Sequence, residues 1–84
     1  MNKSNHEDST VYTTYDLGAS AALLASGYKL KELGRSHNRR ALFVFEYKDD
    51  IEVAVNRYFA DELKVKARSY FDSLKALKSK LYSA

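Results

Sequence analysis

Apolar positions recur along this chain with two different periods, and the changes of period mark out its elements. The stretch TVYTTY, residues 10–15, is β-branched and aromatic, which predicts a first strand. Asp16 follows, placed to cap the free amides of a helix. The helix itself is LGASAALLAS, residues 17–26, in which Leu17, Ala21 and Leu24 share one face; Gly27 stops it. Its many small residues suit close packing on a sheet. The stretch YKLKEL, residues 28–33, alternates like a strand, with Tyr28, Leu30 and Glu32 on one side and Lys29, Lys31 and Leu33 on the other. Residues 34–39 then form a loop, and RALFVFEY, residues 40–47, returns as a strand. That strand is apolar on both faces, with Phe43, Phe45 and Tyr47 on one and Leu42 and Val44 on the other. Such a pattern predicts a central position, with Phe43 and Phe45 in the core.

Beyond it the period changes to that of a helix. Asp49 with Glu52 three residues later matches a capping box, so a second helix is expected from near Asp50. Ile51, Val55, Tyr58 and Phe59 form its apolar stripe. Continued at 100° per residue, the stripe would have Glu62 at its centre, so the helix should end near Ala60 or Asp61. Residues 63–66 connect, with Val65 turned inward, to a last helix from Ala67 to about Tyr82 with Ala67, Tyr70, Leu74, Leu77 and Leu81 as its buried stripe. The predicted order is β-α-β-β-α-α: a single α+β domain over residues 10–84, with a three-stranded sheet covered by helices. Residues 1–9, with no apolar residue after Met1, are expected to be a disordered leader.

Composition and charge narrow the function. Eighty-four residues make one small domain, and the absence of Cys leaves no disulfide or thiolate metal site to staple it. No run approaches a membrane span and the polar start is not a signal peptide, so the protein is expected in the cytoplasm, away from membranes. The net charge of +3 is uneven: residues 1–27 carry −2, residues 28–48 carry +4, residues 49–60 carry −2 and residues 61–84 carry +3. Whether the two basic segments meet in space bears directly on function. Catalysis finds little support. The histidines are His6 in the leader and His37 in a loop, the pairs Asp49–Asp50 and Asp61–Glu62 read as a cap and a helix end, and there is no glycine-rich phosphate loop. Two separated histidines without Cys make no zinc set. The chain therefore reads as a non-enzymatic binding module that needs neither cofactor nor metal.

A run of local patterns also has a resemblance. An aromatic-Thr-x-Asp-Leu start spans Tyr12 to Leu17, an Ala/Leu helix ends in Gly27-Tyr28, and an Arg-x-x-Phe-x-Phe strand carries Arg40, Phe43 and Phe45. A helix ending Arg57-Tyr58-Phe59, the pair Leu63 and Val65, and a Lys-rich helix from Tyr70 to Tyr82 complete it. Together these resemble a small bacterial and phage domain family of unknown function, from which the chain departs by Ala67 where the pattern has a proline. The resemblance implies the fold and a phage or mobile-element setting, and carries over no functional residues.

Candidate binding residues fall in two groups. In the hairpin, Arg35, Arg39 and Arg40 have the fork geometry for phosphate, Asn38 offers hydrogen bonds to a base or backbone, and His37 lies between them. The alternative is a polar tip that keeps two strands soluble. On the last helix Arg68, Phe71, Lys75, Lys78 and Tyr82 lie along one edge, cations interleaved with aromatics, as for gripping a backbone and stacking a base; the alternative is lysine stems covering the rim of the core. Seven tyrosines are too many for the core of so small a domain, so several must keep a wet hydroxyl at a rim, where they suit interfaces or fill edges. The leading expectation is a nucleic-acid-binding module. A net +3 is low for a duplex binder and favours a single strand, or else an acidic protein surface. The runner-up is a protein-interaction module, such as a phage accessory or inhibitor protein docking on a host factor.

Overall fold

The computed structural model describes residues 10–83. The elements follow in the expected order: β1 (Val11–Thr14), α1 (Leu17–Ala25), β2 (Leu30–Arg35), β3 (Ala41–Glu46), α2 (Ile51–Phe59) and α3 (Ala67–Ser83). The expected leader lies outside the described residues. The strands form one antiparallel sheet in the order β1-β3-β2, so the doubly apolar strand is indeed central.

One face of the sheet is the floor of the core. Phe43 and Phe45 lie there fully buried with Leu23 of α1, Ile51 of α2 and Leu77 of α3. Tyr12 pairs with Phe45 across the sheet and faces the same way. The small residues of α1 have the use their size suggested: Ala19, Ala21 and Ala22 are almost wholly buried, and α1 packs against both α2 and α3. Asp16 caps this helix, its carboxylate accepting from the Ala19 N–H at 2.7 Å. Gly27, at φ 100°, ends it in the left-handed region where a side chain would be strained.

The structure differs from the expected pattern in four places. The capping box of the second helix does not form. Asp50 occupies the cap position without bonding the helix amides, and its carboxylate instead accepts from the Tyr28 hydroxyl at 2.8 Å. Phe59 leaves the apolar stripe of α2 and is 60% exposed, while Ala54 takes the buried place beside Ile51 and Val55. Ala67, expected in the buried stripe, is exposed at the first position of α3, and the stripe's burial begins at Tyr70. The simple alternation expected of β2 is also broken. The pairing runs Leu30 with Phe45, Glu32 with Val44 and Leu33 with Phe43, so Lys31 is an extra residue in a bulge. The bulge lets Leu30 and Leu33, three apart, both pack on the core. It also carries β2 on through Gly34 and Arg35, which the loop was expected to hold.

The opposite face of the sheet is different. Val11, Leu42 and Val44 are half-buried but do not join the core, and Thr13, Glu32 and Glu46 around them are exposed. Among the described residues this face is open.

Candidate nucleic-acid interface

The β2–β3 hairpin closes over residues 36–40 through two backbone bonds, Ser36 N–H to Arg40 O at 2.9 Å and Arg39 N–H to Ser36 O at 2.8 Å. Arg39 takes φ 71°, the left-handed conformation that lets so short a turn close. Asn38 builds the turn, since its side-chain oxygen accepts from the Arg40 N–H at 3.3 Å and from the Ser36 hydroxyl. That hydroxyl points at Asn38 and Arg40, and its neighbour His37 is exposed at the tip.

The three hairpin arginines have three different environments. Arg35 lies on the covered side of the sheet and spans two carbonyls, donating to Leu81 O of α3 and to Arg39 O, each at 3.3 Å. Carbonyls at a helix C-terminus are both unsatisfied and electronegative, so Arg35 is a tie between hairpin and helix. Arg39 is exposed at the turn. Arg40 lies over the Tyr15 ring, its guanidinium carbon 4.1 Å from the ring centroid. Strand alternation puts Arg40 in line with Leu42 and Val44, at the end of the open face. Stacking uses the flat face of a guanidinium and leaves its in-plane N–H donors free.

The second group of candidates separates from the first. Arg68 forms an exposed ion pair with Asp72 at 3.5 Å, and Lys75 lies over Phe71 at 5.4 Å. Leu81, where Arg35 docks, is thirteen residues beyond Arg68 on the same helix. At 1.5 Å per residue that is about 20 Å away. Lys78 is exposed one turn before Leu81, nearer the hairpin. The two basic segments thus meet only at the C-terminal end of α3.

Tyr15 is the residue that the sequence reasoning left out of the site. The signal was its spacing from Tyr12 within the expected strand 10–15, where residues three apart face opposite ways; β1 ends at Thr14, and Tyr15 lies just beyond it while Tyr12 belongs to the core. The remaining tyrosines are mostly structural. Tyr58 is pushed up to about 12 by burial first, then by hydrogen bonding to Tyr70 and the nearby Asp16 carboxylate. Burial, then hydrogen bonding to Asp50, raises Tyr28 as well. Among the described residues no three His, Asp or Glu side chains gather into a set that could hold a metal ion, and no helix is long and apolar enough to cross a membrane.

A family model of a domain of unknown function, DUF5659, matches residues 9–83. The chain belongs to DUF5659. No curated protein and no solved structure matches it. The patterns through which the sequence resembled a family all lie within this DUF5659 match, and they divide by face. Phe43 and Phe45 of the Arg-x-x-Phe-x-Phe strand point into the core, while Arg40 of the same pattern stacks on Tyr15 at the end of the open face.

Proposed function

We propose that this domain is a non-enzymatic module that binds single-stranded nucleic acid on the open face of its sheet. The observation that carries the reading is the Arg40–Tyr15 stack. It offers a flat, half-exposed surface to a base and guanidinium N–H donors to the adjoining phosphate. Leu42 and Val44 extend the apolar surface from it towards Val11 at the far end of the face, and Arg39, His37 and Asn38 lie at the adjoining hairpin tip. A flat sheet with one aromatic platform suits an unpaired base, whose π-face is accessible; a duplex hides those faces in its stack. Arg35 contributes by holding the hairpin, and Arg68, paired with Asp72, lies outside the site.

The test is an anisotropy titration of labelled single-stranded and duplex oligonucleotides against the wild type, Arg39→Glu/Arg40→Glu and Arg68→Ala. The single strand should bind the wild type and the Arg68→Ala protein alike, and the double charge reversal should abolish binding. Two phosphate contacts give a salt slope of about −1.4, or roughly a 7-fold loss of affinity between about 50 and 200 mM salt. Equal binding by the folded double variant, or a preference for the duplex, refutes the assignment.

A further inference from the structure

A second surface lies on the other side of the hairpin. β2 pairs with β3 along one edge only, and among the described residues no strand covers its outer edge. A groove of about 680 Å³ runs beside that edge, between β2 and the helices α1 and α3. Its floor is apolar, formed by Leu24 of α1 with Leu30 and Leu33 of β2, all only half-buried. Lys31 flanks it from β2 and Lys29 from just before that strand, and Lys80 reaches it from the last turns of α3. Glu32 is its one acidic lining residue.

Lysines on an edge strand also serve to keep edges from pairing, and Lys31 in a bulge fits that use. That use explains neither the unfilled apolar floor nor Lys80, which arrives from a distant part of the chain to face the same groove. Three ammonium groups around an apolar channel with a free backbone edge make the combination that captures an extended peptide by strand addition. The edge supplies main-chain hydrogen bonds, the floor takes alternate side chains, and the rim selects charge. We infer that the outer edge of β2 binds an extended acidic segment of a partner protein, which adds as a fourth strand. Its apolar side chains rest on Leu24, Leu30 and Leu33, and its carboxylates meet Lys29, Lys31 and Lys80. A second copy of this chain is a poor occupant, because its β2 carries Lys31 and Arg35 against Glu32 alone and would bring net positive charge to a lysine-rimmed groove.

The probe is a fluorescein-labelled peptide of alternating Val and Glu. Its controls are the same peptide with central prolines, which cannot extend a sheet, and an alternating Val and Lys peptide. The acidic peptide should bind at least about 10-fold more tightly than either control, and Lys29→Glu/Lys31→Glu/Lys80→Glu should lose that advantage. Arg39→Glu/Arg40→Glu should bind it as the wild type does, and a single-stranded oligonucleotide should not displace it. Equal binding of the proline control would reduce the groove to a patch of charge and overturn strand addition. Displacement by the oligonucleotide, dimerisation that competes with the peptide, or no binding at about 1 mM peptide would each overturn the proposal as well.

Discussion

Alternate residues of β3 lead different lives. Phe43 and Phe45 are 1% and 0% exposed beneath the helices. Leu42 and Val44 are equally apolar, yet they stay half-buried on the face that no helix covers among the described residues. A strand apolar on both sides normally belongs to a sheet covered on both sides. Here the pattern serves two purposes: one set of side chains holds the fold together, and the other forms a surface that ends in the Arg40–Tyr15 stack. Half-buried Leu42 and Val44 lead along that face to a cation held on an exposed aromatic ring, an arrangement that a recognition site can use.

The sharpest way to break this comparison is to change neighbours in the strand. Phe45→Ala should cost about 3–5 kcal/mol, most of the stability of so small a domain, because it leaves a cavity that the surrounding core cannot refill. Val44→Thr keeps the branched shape and should cost less than about 1 kcal/mol. Urea denaturation of both proteins makes the check, and similar losses would mean that the open face is covered after all.

A smaller effect tests how closely the covered side is packed. A Cβ on Gly18 would collide with the Tyr58 hydroxyl and come into contact with the carboxylate of Asp16. Gly18→Ala should therefore destabilise by about 1–3 kcal/mol, as overpacking does, although alanine favours a helix. Pairing it with Tyr58→Phe, which removes the obstructing oxygen, should recover part of the loss in a double-mutant cycle.

Tyr58 makes a further distinction through pH. Its folded pKa, about 12, lies above the ordinary value of 10.0, so the neutral phenol is the form that the fold stabilises. That contribution is complete below about pH 10 and is lost as the pH rises through 12, with Tyr12 and Tyr28 shifted in the same direction. The urea midpoint should fall over this window, and Tyr58→Phe should shallow the fall.

Much of the covered face was legible in the sequence. Asp16 as a cap, Gly27 as a stop and the doubly apolar strand at the sheet centre all depend on local signals that survive in the fold. The failures came where tertiary contacts outbid local ones. Asp50, one residue past the Asp49 of the expected box, takes the cap position, and its carboxylate bonds Tyr28, twenty-two residues away, instead of the helix amides. The bulge at Lys31 reconciles two leucines with a spacing that an ideal strand does not allow, and alternation alone could not show it. The candidate site was legible only in part. A run of basic residues does not reveal which cation a helix terminus will tie down, as happens to Arg35, or which will find an aromatic ring, as Arg40 does. Nor does it reveal that Lys80 joins Lys29 and Lys31, because that depends on how α3 lies across the sheet.

The most direct measurement of the two-face account is a methyl-resolved NMR titration with a single-stranded oligonucleotide. The methyl groups of Val11, Leu42 and Val44 report on the open face, those of Leu23, Ile51 and Leu77 on the core, and those of Leu30 and Leu33 on the β2 groove. The account expects the first set to shift progressively with added oligonucleotide, while the core and groove sets stay where they are. Shifts confined to Leu30 and Leu33, or to none of these methyl groups, would contradict it and return Leu42 and Val44 to the status of ordinary strand residues on an unused face.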